Sequence, residues 1–245
     1  MPARDDQMTD PAIAADLLLA RRGTAYFSRK LNELTDAQYD GPSLLPGWDR
    51  RHVIAHVGYN ARALTRLVEW ARTGVQTPMY ASSQARNEEI DAGAAMTPIE
   101  LRHLHHQELV TLWVKWGDLP VDRWEFPVRT AQGRTVPVSV TPWMRIREVW
   151  LHAVDLNNDG RVEDFPPEVV DRLLADITSW WARADSVDLV LEPTDRLVPD
   201  LVGTSSGAGA VVVRGTAAQL VGWASGRGGD VATSTGVPVV APRWL

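Results

Sequence analysis

The most informative stretch of the sequence is Arg145-Ile-Arg-Glu-Val-Trp-Leu-His-Ala-Val-Asp155. In a helix, Glu148 and His152 are four residues apart and therefore lie one turn apart on the same face. Arg145 and Asp155 extend this polar stripe, whereas apolar residues cover the rest of the circumference, as is typical of a buried helix. A buried carboxylate requires a charged partner or a metal ion. The pattern indicates a candidate metal site; the alternative is a solvated face with a weak Glu–His pair, which the apolar flanks disfavour.

A metal site here needs a third ligand from another helix, because adjacent turns of one helix supply only two. The other histidines are His52, His56, His103, His105 and His106. At about 100° per residue, His56 falls beside an apolar stripe, and His52 lies about 40° further towards the polar side. His56 is therefore the better core-facing candidate, although a core histidine hydrogen-bonded to a neighbour such as Asn60 explains the pattern equally well. The three remaining histidines are predicted to lie on an exposed polar face.

A set of two histidines and one glutamate leaves a fourth coordination position open, as in catalytic zinc sites. Such a zinc ion binds water or a thiol and stabilises its anion. The sequence contains no cysteine, so it can form no disulfide and no zinc–thiolate site, and it has no catalytic thiol. Any thiol chemistry must therefore use a small molecule.

Composition excludes several classes of protein. The 245 residues are 44% hydrophobic, too many for a disordered chain. A net charge of −6 argues against a nucleic-acid partner. No apolar run approaches the ~18 residues of a membrane span, and the polar, acidic first ten residues lack the pattern of a signal peptide. A cytoplasmic protein without a membrane partner is expected.

Apolar periodicity predicts a four-helix bundle with an inserted hairpin, followed by a small α+β domain. The predicted helices of the bundle span residues 11–34, 50–72, 99–116 and 143–157, with a shorter helix over 83–92. Asp10, Asp49 and the Thr141-Pro142 pair are predicted to cap helices, and Gln132-Gly133 predicts the hairpin turn. A turn-rich segment divides the chain into domains 1–160 and 161–245. The second domain is predicted to contain helices over 167–184 and 216–225 and strands over 187–191 and 210–214.

Several motifs together resemble the mycothiol-dependent maleylpyruvate isomerases. They are Leu45-Pro-Gly-Trp-Asp-Arg-Arg-His-Val-Ile-Ala-His56, Arg86-Asn-Glu-Glu-Ile90, Ala131-Gln-Gly-Arg-Thr-Val-Pro137, Arg147-Glu-Val-Trp-Leu-His-Ala-Val-Asp155, Gly226-Arg-Gly228 and Pro242-Arg-Trp-Leu245. The resemblance spans almost the whole chain and is specific in combination. It implies a DinB-like metal-binding helical domain followed by a small α/β domain resembling sterol carrier proteins.

The resemblance also implies roles for individual residues. The zinc ligands fall on His56, Glu148 and His152, in agreement with the helical-face argument. The family's functional arginine falls on Arg227, which the residues alone would allow to be an exposed loop arginine between glycines. Arg86 is a candidate for contact with the substrate or the thiol. Asp155 is a candidate for orienting a ligand, although a residue at a helix end can equally meet backbone or solvent.

The implied activity is the cis–trans isomerisation of maleylpyruvate to fumarylpyruvate in the gentisate pathway of aromatic degradation. The expected mechanism is addition of the mycothiol thiolate, rotation about the resulting single bond and elimination, with zinc or Arg227 stabilising the enolate. The expected protein is a monomer whose partners are its small-molecule substrate and mycothiol. Two alternatives are a mycothiol S-transferase acting on electrophilic xenobiotics and a non-catalytic ligand-binding module.

Overall fold

The chain divides into two compact units, residues 1–159 and 160–245. The computed structural model describes residues 10–183, 189–196, 202–203 and 210–244. Over these residues, no helix is both long and apolar enough to cross a membrane. The predicted α+β architecture is confirmed, because the first unit is helical and the second combines helices with a sheet.

Over residues 10–159, the first unit is formed by four long helices and one short helix. They are α1 (Pro11–Asn32), α2 (Arg50–Thr73), α3 (Ser83–Ala94), α4 (Pro98–Gly117) and α5 (Thr141–Asp155). Helix α2 packs against α3, α4 and α5, and α1 packs against α5. The predicted hairpin lies between α4 and α5, where β1 (Pro127–Arg129) pairs with β2 (Thr135–Pro137) in antiparallel register.

The helix ends follow local rules that the sequence makes visible. The Asp10 side chain accepts from the backbone N–H of Ala12, and the Asp49 side chain accepts from that of His52. Gly74 ends α2 in the left-handed conformation, with φ 76°. The prediction that Thr141-Pro142 caps α5 was wrong: Thr141 is the first helical residue, and its hydroxyl donates to the Val138 carbonyl oxygen at 2.7 Å.

Hydrogen bonds connect the C-terminus of α5 to the start of α2 and to the loop before it. Arg50 donates from Nε to the carbonyl oxygen of Leu156 at 2.7 Å and from Nη2 to that of Asn157 at 2.6 Å. The backbone N–H of Leu44 bonds the Asp155 carbonyl oxygen at 3.0 Å. These donors satisfy carbonyl groups that a helix end leaves without partners. Asn157 has φ 49°, so the helix stops two residues earlier than the sequence predicts.

Within its described residues, the second unit has two helices and a four-stranded sheet. Its elements are α6 (Pro167–Arg183), β3 (Leu189–Pro193), β4 (Val202–Gly203), β5 (Val211–Gly215), α7 (Ala217–Ala224) and β6 (Ala232–Thr233). The strand order is β4-β3-β5-β6, with β3 and β5 parallel and both outer pairs antiparallel. Helix α6 packs against α7. The predicted helices and strands are present, and residue 184 and residues 187–188 of those predictions lie outside the described residues.

Candidate metal centre

Three polar side chains meet between α2 and α5. The Nε2 atom of His56 lies 3.0 Å from Oε2 of Glu148, and Nε2 of His152 lies 3.1 Å from the same oxygen. Each residue offers one ligand atom, and the three atoms all lie within 4.8 Å of one another. Ligand atoms about 2.1 Å from a tetrahedral zinc ion lie roughly 3.4 Å apart. The spacing therefore suits a single metal ion.

Both histidines approach the same oxygen atom of Glu148. This Oε2 atom is buried, and the Nε2 atoms of His56 and His152 both lie within 3.1 Å of it. A buried carboxylate needs a charged or hydrogen-bonding partner. A metal ion bound by all three atoms would supply one.

The sequence produces this convergence through two packed helices. Glu148 and His152 are four residues apart on α5, and His56 lies on the buried face of α2, which packs against α5. His56 is a buried histidine, as its alternative interpretation also expects, but the neighbour that its Nε2 approaches is Glu148. Asn60 Oδ1 instead accepts from Nη1 of Arg145 at 3.0 Å.

His56, Glu148 and His152 form a cluster in which two of the three side chains, His56 and Glu148, are in the protonation state that binds a metal ion. Burial lowers the pKa of His56, although Glu148 opposes this, so its imidazole is neutral and can offer a lone pair. Burial would raise the pKa of Glu148, but the two histidines outweigh burial and hold it well below its usual value. Burial likewise opposes protonation of His152, yet Asp155 and Glu148 outweigh it and raise its pKa to about 9. A metal ion must therefore displace a proton from His152.

Asp155 and Arg86 contact the two histidines from outside the cluster. The Oδ2 atom of Asp155 lies 2.7 Å from Nδ1 of His152, and the residue is fully buried rather than solvated. A ligating histidine characteristically donates its second N–H to such a carboxylate. Arg86 Nη2 lies 3.4 Å from Nδ1 of His56. The guanidinium also lies 6.0 Å from the centre of the Tyr80 ring.

The other histidines lie elsewhere. His52 Nδ1 contacts Asp49 Oδ1 at 2.7 Å and is not part of the cluster. His103 and His106 are exposed as predicted, but the prediction of an exposed His105 was wrong. It is buried, with Nε2 2.9 Å from the Ser28 hydroxyl, because it shares the inward face of α4 with Leu101, four residues earlier.

Arg227 lies in the second unit, directly after α7. Its backbone N–H bonds the Gly222 carbonyl oxygen at 2.7 Å, and Nη1 donates to the Ser225 carbonyl oxygen at 2.9 Å. Gly226 and Gly228 have φ values of 75° and 88°. These angles favour glycine, so the two glycines set the turn that presents Arg227.

Two aromatic residues near the cluster were not predicted from the sequence. The Trp48 ring lies 5.4 Å from the His56 ring, between centroids. Burial, followed by the charge of Glu148, raises the pKa of Tyr80 to about 12. Both residues lie in loops, where helical periodicity carries no information. The available signals for Trp48 were its place in the Leu45–His56 motif and its position directly before the α2 cap Asp49.

Comparisons with known proteins cover both units. The chain matches the family model of the mycothiol maleylpyruvate isomerase N-terminal domain over residues 20–157 and that of the MDMPI C-terminal domain over residues 164–245. A crystal structure of the mycothiol-dependent maleylpyruvate isomerase is 45% identical, with a TM-score of 0.90, and the match covers 95% of this chain and 97% of that one. The crystal structure of a histidine-to-alanine mutant of that isomerase matches with the same values. No curated protein sequence matches the chain.

Proposed function

The chain belongs to the mycothiol-dependent maleylpyruvate isomerase family, and we propose that it is a zinc- and mycothiol-dependent cis–trans isomerase converting maleylpyruvate to fumarylpyruvate. Such an enzyme acts in the cytoplasm, in the degradation of gentisate. The observation that carries the proposal is the convergence of His56, Glu148 and His152, with all three ligand atoms within 4.8 Å of one another. The family match alone supports the class of reaction, and the cluster supports the metal.

The donor set fits zinc. Two imidazole nitrogens and one carboxylate oxygen are zinc ligands, and a three-residue set leaves a position for an exogenous ligand. When bound, zinc and mycothiol together supply a thiolate, the nucleophile for reversible addition to the cis double bond. The chain lacks cysteine, which is consistent with a nucleophile brought by a small molecule.

Asp155 and Arg86 lie next to the three proposed zinc ligands, and each is assigned a role in binding. Asp155, 2.7 Å from Nδ1 of His152, holds the imidazole so that Nε2 faces Glu148. This contact fixes both the tautomer and the ring orientation. Arg86 lies at the edge of the cluster beside His56. We assign it to contact with an anionic group of the thiol or the substrate.

Arg227 is the proposed catalytic cation. Maleylpyruvate carries two carboxylates, and a guanidinium binds a carboxylate through two parallel hydrogen bonds. Charge also develops on the substrate when a nucleophile adds to its double bond, and a fixed cation stabilises that charge. The glycines on either side of Arg227 set the backbone that presents this group.

The test is turnover of maleylpyruvate by the purified protein, with and without mycothiol, with metal content measured on the same sample. We expect one zinc ion per chain and formation of fumarylpyruvate only when mycothiol is present. Full turnover in thiol-free buffer would refute the proposed chemistry. Conjugation of mycothiol to an epoxide or a chlorinated aromatic, without isomerisation, would identify an S-transferase instead.

A further inference from the structure

A charged side chain in the first unit is buried without a counter-ion among the described residues. Arg145 is 1% exposed. Its Nη1 donates to the Val57 carbonyl oxygen at 2.7 Å and to Asn60 Oδ1 at 3.0 Å. Both acceptors are neutral. Among the described residues, Nε and Nη2 have no hydrogen-bond partner, and no carboxylate lies within 4.0 Å of the guanidinium.

This arrangement is costly for folding. A buried charge without a paired opposite charge destabilises a protein, and an apolar residue of similar volume is often the more stable choice. Burial lowers the pKa of Arg145 only to about 10, so the group stays positive at neutral pH. A stabilising role in the core therefore does not explain the charge.

The position of Arg145 connects it to the candidate metal centre. It precedes Glu148 by three residues on α5, and both side chains belong to the polar stripe of that helix. Glu148 is the foremost group that favours its charged form, yet it lies beyond ion-pair distance. The guanidinium thus acts on the centre through its electric field rather than through a direct contact.

The positive charge of Arg145 balances negative charges at the candidate metal centre. Glu148 and the fully buried Asp155 each bring a negative charge to the centre. With a divalent ion and one thiolate, these charges and that of Arg145 cancel. Without Arg145 the same buried assembly carries an excess negative charge. Arg86 is half-buried, so solvent screens its charge more strongly.

We propose that Arg145 is a positioning residue whose buried charge enables the metal centre to hold a thiolate beside Glu148 and Asp155. This inference rests on the proposed function. Its physical signature is a pair of opposite effects, because a nearby positive charge repels a metal cation and attracts an anionic ligand. In general, a unit charge about 10 Å from a monoanion, at an effective dielectric constant of about 20, changes the affinity for that anion roughly tenfold.

The experiment measures both affinities in Arg145→Met. Zinc affinity is obtained by competition with a chromophoric chelator. Thiol affinity is obtained by titrating the cobalt-substituted protein with mycothiol and following the thiolate-to-cobalt absorption; the thiol proton leaves to solvent as the sulfur–metal bond forms. We expect zinc to bind at least as tightly as in the wild type and mycothiol to bind roughly tenfold more weakly.

Three further variants separate the charge from the packing. Arg145→Lys keeps the charge, and we expect its mycothiol affinity within about threefold of the wild type. Asn60→Asp places a carboxylate against Nη1 and cancels the field without removing the arginine, so it weakens mycothiol binding even if Arg145→Met does not fold. Asn60→Ala removes a neutral partner alone; it lowers thermal stability without changing mycothiol affinity.

Wild-type mycothiol affinity in both Arg145→Met and Asn60→Asp would overturn the inference, as would parallel loss of zinc and mycothiol binding in every Arg145 variant. In either case the wild-type protein still binds both, and the proposed function stands. Failure of the wild-type protein to bind zinc or mycothiol would overturn the proposed function and this inference together.

Discussion

Replacing Asp155 tests whether the carboxylate beside His152 is part of the metal centre. Asp155→Ala removes an oxygen that lies 2.7 Å from His152 Nδ1, whereas Asp155→Asn keeps an acceptor of the same shape and removes the charge. The two variants therefore divide the contact into its geometric and its electrostatic parts. Both should leave the three ligands in place.

The expected loss follows from the kind of hydrogen bond involved. A hydrogen bond to a charged group contributes about 1.5–3 kcal/mol, so Asp155→Ala should weaken zinc binding roughly 10- to 100-fold. Asp155→Asn keeps a hydrogen bond to a neutral group and should weaken zinc binding about tenfold. Asp155 also helps to raise the pKa of His152 to about 9. At pH 7 the wild type must therefore release a proton to bind zinc, which reduces the difference in zinc affinity between the wild type and the Asp155 variants. The zinc affinities are therefore also compared above pH 9, where this proton is absent.

The assay is competition for zinc with a chromophoric chelator, at both pH values. Asp49→Asn is the matched control, because Asp49 lies at the same 2.7 Å from an imidazole, that of His52, which is not part of the cluster. Asparagine also caps helices well, so α2 should be undisturbed. Equal zinc affinity in Asp155→Asn, Asp155→Ala and the wild type above pH 9 would refute the assignment.

Three other outcomes are expected. His56→Ala should abolish zinc binding and activity, whereas His52→Ala should retain both, as measured by metal content and turnover; the reverse result would exchange the two histidines. Arg227→Ala should lose roughly 10- to 150-fold in kcat/KM through the loss of a charged hydrogen bond, with zinc content and melting temperature unchanged; wild-type kcat/KM would remove Arg227 from catalysis. Burial, followed by Arg145 and His106, lowers the pKa of His105 to about 3. The unfolded chain therefore takes up this proton first, and stability falls by up to about 1.4 kcal/mol per unit as the pH drops from about 6 towards 3. His105→Gln should reduce that slope in urea unfolding at pH 7 and pH 5; an unchanged slope would contradict the assignment.

Much of the first unit could be predicted because its signals are local. Asp10, Asp49 and Gly74 define helix ends by short-range hydrogen bonds and backbone angles that depend on a few neighbouring residues. The i,i+4 spacing of Glu148 and His152 places them together on any helix. The inward face of α2 likewise follows from apolar periodicity, which distinguishes His56 from His52.

The wrong predictions depended on tertiary contacts. His105 stands in a polar run of sequence, yet its side chain is buried and contacts Ser28, 77 positions earlier in the chain. Thr141 follows the pattern of a cap, but its hydroxyl is engaged with the Val138 carbonyl oxygen and the Trp116 indole. Trp48 and Tyr80 approach the cluster from loops, whose paths no periodicity records.

The hydrogen bonds by which Arg50 connects the end of α5 to the start of α2 affect how the protein acquires its metal ion. Arg50 is the first residue of α2, and it donates hydrogen bonds to carbonyl oxygens of the two residues that follow α5. The helices that carry the three ligands are therefore joined by hydrogen bonds that require no metal ion. Zinc fingers, in contrast, fold only when metal arrives, and removing the ion denatures them. Here the scaffold is assembled in advance, so little chain entropy remains to be lost on loading. Chelation should leave a folded apoprotein that can be reloaded, and the ion becomes an exchangeable component whose occupancy follows the supply of metal around the protein.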